Sequence, residues 1–387
     1  MSFRSRSIQL SLGLAASLIS IKAVDLLTQR YAPRLPHQPQ PESFEKNILT
    51  LDLYPYTGWH VPSNFLHQGP MPWEQRGSSD FTIKSGPMGF FTDFDIRNPP
   101  KKTADEFRII LIGGSGAQGW GAQTNEQMLY KQLEKNLNER IGNDSSRVRV
   151  INMAMAGSIT YQNFIALNRW AHPLGPDLIL SYSGVNDVRM PLDEGMTDGF
   201  VHFTELNSMV IAAQGVEWPR SLKWLKSLFP SLMCRTRIGI ALKALFAPSY
   251  FLDKARMTYQ TNGAFDTSSK AAFFEKTVSP MYLDALRSIK RDFMGVPIMI
   301  AWQAYPSSTD NEKDLGSGYY DKMFEDTRRG LTGYINDDWY FINVHKIFED
   351  DPKDYIDVHL RNEGHKIVAD ILAEQIIKII RKRKGVK

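Results

Sequence analysis

Cysteine is almost missing from this 387-residue sequence, with Cys234 the only one. A single thiol excludes an internal disulfide framework and any metal site built from several cysteines. His60, His67, His172, His202 and His345 show no His-x-x-x-His spacing, so neither a metal nor an organic cofactor is implied. Charge of either sign is in small excess only: 46 Lys+Arg against 42 Asp+Glu gives a formal net charge of +4. With no nucleic-acid-binding module legible, that balance argues against a nucleic-acid partner. Internal repeats are missing too. No Gly-Lys-Ser/Thr follows a glycine-rich turn, which removes the phosphate-binding P-loop. Long apolar runs are scarce. The clearest uncharged stretch, Ile8 to Ile21, follows Arg4 and Arg6 and is short against the ~20 residues a bilayer core requires.

What is present is an alternation of apolar runs and amphipathic segments. The organising stretch runs from Phe107 to Gly121. Ile109 to Ile112 reads as a strand covered on both faces, Gly113 and Gly114 as a tight turn, and Ser115 as the residue left at the strand's tip. Thr124 and Gln127 predict a capping-box start for a helix carrying Met128, Leu129, Leu133 and Leu137. Further strands are expected at Val148–Met153, Leu178–Tyr182, Gly295–Trp302 and Trp339–Val344. Helices are expected from about Thr160, with Phe164, Ile165 and Leu167 inward, and from about Glu363. Strands alternating with helices predict a parallel α/β sheet.

Four short stretches fall at strand ends or just before the last helix, and all should gather on one edge of the sheet. They are Gly113–Ser115, Asn152–Gly157, Gly184–Asp187, and Asp357–Leu360 with His365. Their side chains suit ester cleavage. Ser115 would attack, because a hydroxyl becomes a useful nucleophile once a base takes its proton. His359 is a suitable base, since imidazole titrates near neutrality. An acidic neighbour would fix its tautomer. Oxyanion donors would come from the backbone amides of Ser115 and Gly157 and the side chain of Asn186. Blander roles exist for each: a helix cap for Ser115, a structural histidine for His359, a turn residue for Asn186 and a helix-entry glycine for Gly157. Asp187 reads as a loop brace and His365 as a structural residue of the helix start.

At these residues the sequence resembles the SGNH, or GDSL-like, hydrolases, named for a serine, glycine, asparagine and histidine in four blocks. Ser115, Gly157, Asn186 and His359 supply them in that order. Gly184-Val-Asn-Asp187 and the His359-to-His365 ending carry the resemblance most specifically. It implies a flavodoxin-like three-layer α/β/α sandwich with a central parallel sheet. It also implies serine esterase activity, often acetyl-ester cleavage on acylated glycans. Block one reads Gly-Gly-Ser where the family's name motif has Gly-Asp-Ser. The family's acid lies three positions before the histidine, and that position here is Ile356. Asp357, two before, and Asp354, five before, are the alternatives for orienting His359, with Asp357 preferred.

Residues 1–28 are expected to form an uncleaved signal-anchor, which would make the membrane a partner and place the catalytic part outside the cytoplasm. Residues 29–104 would be a proline-marked tether and an irregular aromatic layer carrying Gly86-Pro-Met-Gly-Phe90, a feature similar to membrane-tethered bacterial members. Residues 105–387 would be the hydrolase-like domain, interrupted by a helical insertion at about 191–280. The basic tail Arg381–Lys384 is either a solvated end or a contact to acidic lipid. On the same fold an O-acyltransferase or a glycan-binding protein without turnover is an alternative. A dinucleotide-binding protein is a further one, because Gly114 to Gly119 fits Gly-x-Gly-x-x-Gly. It lacks the acidic residue expected at the end of the second strand.

Overall fold

The computed structural model describes residues 52–54, 58–61, 63–69, 81–142, 147–194, 271–306, 318–335, 338–348, 352–356 and 359–384. These belong to one compact unit formed by residues 48–202 and 264–387. The expected anchor at 1–28 and most of the insertion at 191–280 lie outside the described residues. Among the described residues no helix is long and apolar enough to cross a membrane.

Two short antiparallel hairpins come first: β1 (Asp52–Tyr54) with β2 (Gly58–His60), and β3 (Leu66–Gly69) with β4 (Phe81–Lys84). The layer expected to be irregular is therefore partly strand. Phe90, from the Gly86–Phe90 motif, is fully buried and meets the edge of Trp170 with ring centroids 5.5 Å apart.

The core is a five-stranded sheet of β5 (Glu106–Gly113), β6 (Arg147–Asn152), β7 (Leu178–Ser183), β8 (Ile298–Trp302) and β9 (Trp339–Asn343). All pairings are parallel, in the order β6-β5-β7-β8-β9. Counted from the first strand of the sheet this is 2-1-3-4-5, the flavodoxin-like order. Every residue of β5, β7 and β8 is buried, as their largely apolar sequences suit central strands.

The helices are α1 (Ser115–Gln118), α2 (Leu129–Ile141), α3 (Thr160–Trp170), α4 (Val185–Glu194), α5 (Ser279–Asp292), α6 (Tyr319–Leu331), α7 (Val344–Ile347) and α8 (Asn362–Lys384). Helix α8 packs along α2, while α5 packs against both α3 and α6. Helices thus form two layers with the parallel sheet between them, a three-layer α/β/α sandwich.

Some local expectations fail for long-range reasons. The capping box at Thr124 does not form. Thr124 is drawn out as an extended residue bridged to Thr82, a 3₁₀ turn occupies Asn125–Gln127, and α2 starts at Leu129. In α3 the buried face carries Gln162, Asn163, Ala166, Leu167 and Trp170, with Phe164 and Ile165 only half-buried. The two inward polar side chains serve the turn before the helix, where Gln162 Oε1 accepts from Ile159 N at 2.9 Å. The tail is also tied down: Arg383 donates to Asp177 O at 2.7 Å and Gly295 O at 3.0 Å.

One buried charge cluster lies at the amino ends of the strands. Arg108, 1% exposed, donates to both carboxylate oxygens of Glu106 at 3.0 Å and to Pro100 O and Leu174 O at 2.7 and 2.9 Å. Glu106 Oε1 also meets Arg149 Nε at 3.1 Å. The cluster sits at the opposite end of β5 from Ser115.

Candidate active site

In open parallel sheets ligands bind beyond the carboxyl ends of the strands, where the strand order reverses. Here that point lies between β5 and β7. Ser115 follows β5 and Asn186 follows β7, so the sheet itself brings two of the expected site residues to one crevice.

The turn after β5 is shaped by what packs on it. Gly113 sits at φ +149°, and a Cβ there would strike the Tyr182 carbonyl oxygen. A methyl on Gly114 would collide with Asn186 Nδ2. That contact presses the asparagine amide onto the backbone just before the serine. Ser115 opens the single turn of α1, which Gly119 ends at φ +111°. As a first-turn residue, Ser115 has no intrahelical acceptor for its N–H.

The loop after β6 lies alongside. Gly157 turns at φ +67°, and Ser158 Oγ donates to Gly113 O at 2.9 Å. Asn186 Nδ2 donates to Ser158 O at 3.0 Å. Asp187 accepts from Thr160 N at 2.6 Å and from Gly184 N at 3.3 Å. Burial pushes its carboxyl up to about 6, opposed by those N–H bonds. The expected loop brace thus joins two loops.

His359 arrives from far along the chain. It lies on β11 (His359–Leu360), which pairs antiparallel with β10 (Tyr355–Ile356). Arg361 fastens this hairpin, with its N–H on Asp354 O at 2.5 Å and its Nε on Tyr355 O at 2.9 Å. The hairpin seats on Gly121, where φ is +94° and a Cβ would strike the Leu360 carbonyl. The result is a hydrogen bond of 2.8 Å between His359 Nε2 and Ser115 Oγ, across 244 residues of sequence. The imidazole is partly buried, and desolvation pulls its pKa from 6.5 down to about 4, so it is neutral near pH 7.

The structure therefore brings together Ser115, Gly157, Asn186 and His359. Of the two candidate acids, Asp357 lies outside the described residues. Asp354 is buried, and its carboxylate makes no hydrogen bond or ion pair to His359 among the described residues. His365 is fully buried with Nε2 at 3.2 Å from Trp120 O, in keeping with a structural role. No group of three or more potential metal ligands occurs among the described residues.

Two neighbours escaped the sequence reading. Trp120 tilts against His359, with centroids 5.6 Å apart, and its Nε1 donates to Gln118 Oε1 at 2.7 Å. Gln303, 8% exposed at the end of β8, packs its amide over Gly116, where an added Cβ would lie 2.6 Å from Nε2. Gln303 directly follows the strand expected at Gly295–Trp302, and Trp120 lies within the organising stretch five residues after Ser115; those positions were the available signal.

A serine hydrogen-bonded to a histidine at the switch point of a 2-1-3-4-5 parallel sheet defines an α/β protein with a nucleophile-type site. No protein-family model matches the sequence, and no curated protein matches it significantly. Among solved structures, the chain is similar to a lipase/acylhydrolase from Enterococcus faecalis, at 11% identity and TM-score 0.41 over 70% of this chain and 95% of that one. An acetyl xylan esterase, AlAXEase, aligns at 12% identity and TM-score 0.40 over 70% of this chain and 100% of its own. A two-domain esterase active on acetylated mannans aligns at 12% identity and TM-score 0.39, over 71% of this chain and 50% of its own.

Proposed function

We propose that this protein is a serine ester hydrolase of the SGNH type, with Ser115 as nucleophile and His359 as general base. The observation that carries this reading is the 2.8 Å contact between Ser115 Oγ and His359 Nε2 at the carboxyl edge of the sheet. A neutral imidazole accepts the Oγ proton as Oγ bonds to the ester carbonyl carbon. Negative charge then develops on the carbonyl oxygen. The N–H groups of Ser115 and Gly157 and the Asn186 amide supply the donors, each typically contributing ~3 kcal/mol in such sites. Collapse expels the alcohol, which takes the proton from Nε2 and leaves an acyl-serine. Water, deprotonated by the same imidazole, hydrolyses it and restores Oγ–H.

Burial favours the neutral imidazole, so the imidazolium intermediate needs a compensating charge on the far side of the ring. Asp357 is the residue assigned to that task. The substrate class is an acetyl ester, carried by a glycan of the cell envelope or an extracellular glycan. The 1–28 segment would hold the enzyme at the membrane with its catalytic part facing outward.

The test is p-nitrophenyl acetate hydrolysis by the full-length chain beside Ser115→Ala and His359→Ala. Turnover that falls to background in both variants is the expected result. A folded wild type that turns over no faster than either variant defeats the hydrolase reading. Acetyl transfer to an added sugar by that same protein would then identify an acyltransferase.

A further inference from the structure

We infer that Asp187 is the positioning residue of the oxyanion pocket, holding both of its walls on one carboxylate. The inference rests on the ester-hydrolase reading and deepens it. Its two oxygens take N–H donors from two different loops. Thr160 N, at 2.6 Å, lies three residues after Gly157. Gly184 N, at 3.3 Å, lies two residues before Asn186. The loops carrying the backbone donor and the side-chain donor are thus fastened to a common point. A third tie, Asn186 Nδ2 to Ser158 O at 3.0 Å, runs directly between them.

The chemical choice of anchor is informative. Asp187 is 3% exposed and has no cationic partner among the described residues. A buried, unpaired carboxylate is expensive, and an amide or hydroxyl would satisfy a single N–H at lower cost. What a carboxylate alone provides at this size is two acceptors and no donor, which suits two N–H groups converging from separate loops. Gly184 packs closely on a buried aromatic ring. It sits at φ +126°, and an added Cβ would lie 2.7 Å from the Trp302 ring. With one acceptor lost, Gly184 and Asn186 are released relative to Gly157, and the spacing of the donors around the oxyanion drifts. Electrostatic stabilisation depends on donors already in place before charge develops.

This separates from a merely structural brace by what the variants change. Asp187→Asn keeps shape but turns one acceptor into a donor facing Gly184 N–H, whereas Asp187→Ala removes both acceptors. Expected are losses in kcat of ~10-fold and ~100-fold respectively, with KM within about threefold, because the pocket acts on the transition state. Inhibition by phenylboronic acid, whose adduct on Ser115 is tetrahedral, should weaken in parallel with kcat. In an Asn186→Ala background, Asp187→Asn should cost under about threefold, since both changes disable the same donor. If Asp187→Ala does not fold, the isosteric Asp187→Asn decides.

Wild-type kcat with only a lowered Tm would overturn the inference and leave the hydrolase reading intact, as would fully additive losses with Asn186→Ala. Wild-type turnover independent of Ser115 would overturn both.

Discussion

The Trp120 ring lies against the His359 imidazole, with centroids 5.6 Å apart and planes inclined at 37°. Its Nε1 donates to Gln118 Oε1, and its backbone carbonyl meets His365 Nε2. The imidazole is thus steered by an indole whose own position is fixed at both ends. An aromatic contact of this kind contributes about 0.5–1.5 kcal/mol, or roughly 2- to 12-fold in rate if it serves orientation. Trp120→Ala should lower kcat on p-nitrophenyl acetate within that range, and Trp120→Phe should restore most of it. Equal loss in both variants would show that the Gln118 hydrogen bond, and not the ring face, holds His359.

Gly121 sets where the histidine hairpin seats. At φ +94°, with the Leu360 carbonyl lying where a Cβ would go, alanine is strained by its backbone and by the collision. The φ alone costs about 1–3 kcal/mol. Moving β11 by even 1 Å breaks the Ser115–His359 alignment, and such misplacement costs ~100-fold. Gly121→Ala should therefore lose Tm and kcat together, as read by thermal unfolding and steady-state kinetics. Wild-type kcat in a destabilised protein would detach the seat of the hairpin from catalysis.

The pH profile carries the sign of the His359 shift. Burial lowers its pKa to about 4, so the free enzyme keeps a neutral base down to that pH. The acid limb of kcat/KM should fall near pH 4 to 5, below the ordinary histidine range around 6.5. A limb at 6.5 or above would mean that a carboxylate charge on the ring offsets desolvation in full. In that case Asp357→Asn should move the limb downward.

Much of this was legible because the strong signals are local. The runs at 109–112, 178–180 and 298–302 are apolar without interruption, and all became parts of central strands. Ser115 stands between two glycines just after β5, Asn186 comes two residues after Gly184 at the end of β7, and the topology gathers them with His359. Less legible were features that exist only through distant partners. Nothing near Thr124 announces its bridge to Thr82, which holds it extended and delays α2. Asn163 looks misplaced on the inner face of a helix until Ser158 Oγ is found 3.4 Å away. The seat of Leu360 on Gly121 joins segments more than two hundred residues apart, which no local pattern records.

The two acids near the histidine should separate cleanly. The Asp354 carboxylate makes no bond to His359 among the described residues, and the residue contributes its backbone carbonyl to Arg361. Asp354→Asn should leave kcat within about threefold, since the backbone bond survives the substitution. Asp357→Asn should reduce kcat by ~10²–10⁴, the scale seen when a histidine loses the carboxylate that fixes its tautomer. The opposite ranking would give the orienting role to Asp354.

His365 ties stability to pH. It is fully buried, its Nδ1 has no hydrogen-bond partner among the described residues, and desolvation lowers its pKa from 6.5 to about 4. The folded protein therefore binds a proton on this ring less readily than the unfolded chain does. Its contribution is fully present above pH 6.5 and is lost as pH falls through about 4. For a ring so thoroughly buried the loss amounts to roughly 3 kcal/mol. His359 adds to the trend in the same direction, reduced by its partial exposure to solvent. Urea unfolding between pH 7 and pH 4 should show the decline, and His365→Gln should flatten part of it, because a neutral amide takes up no proton. A variant with an unchanged slope would assign the acid sensitivity to other groups.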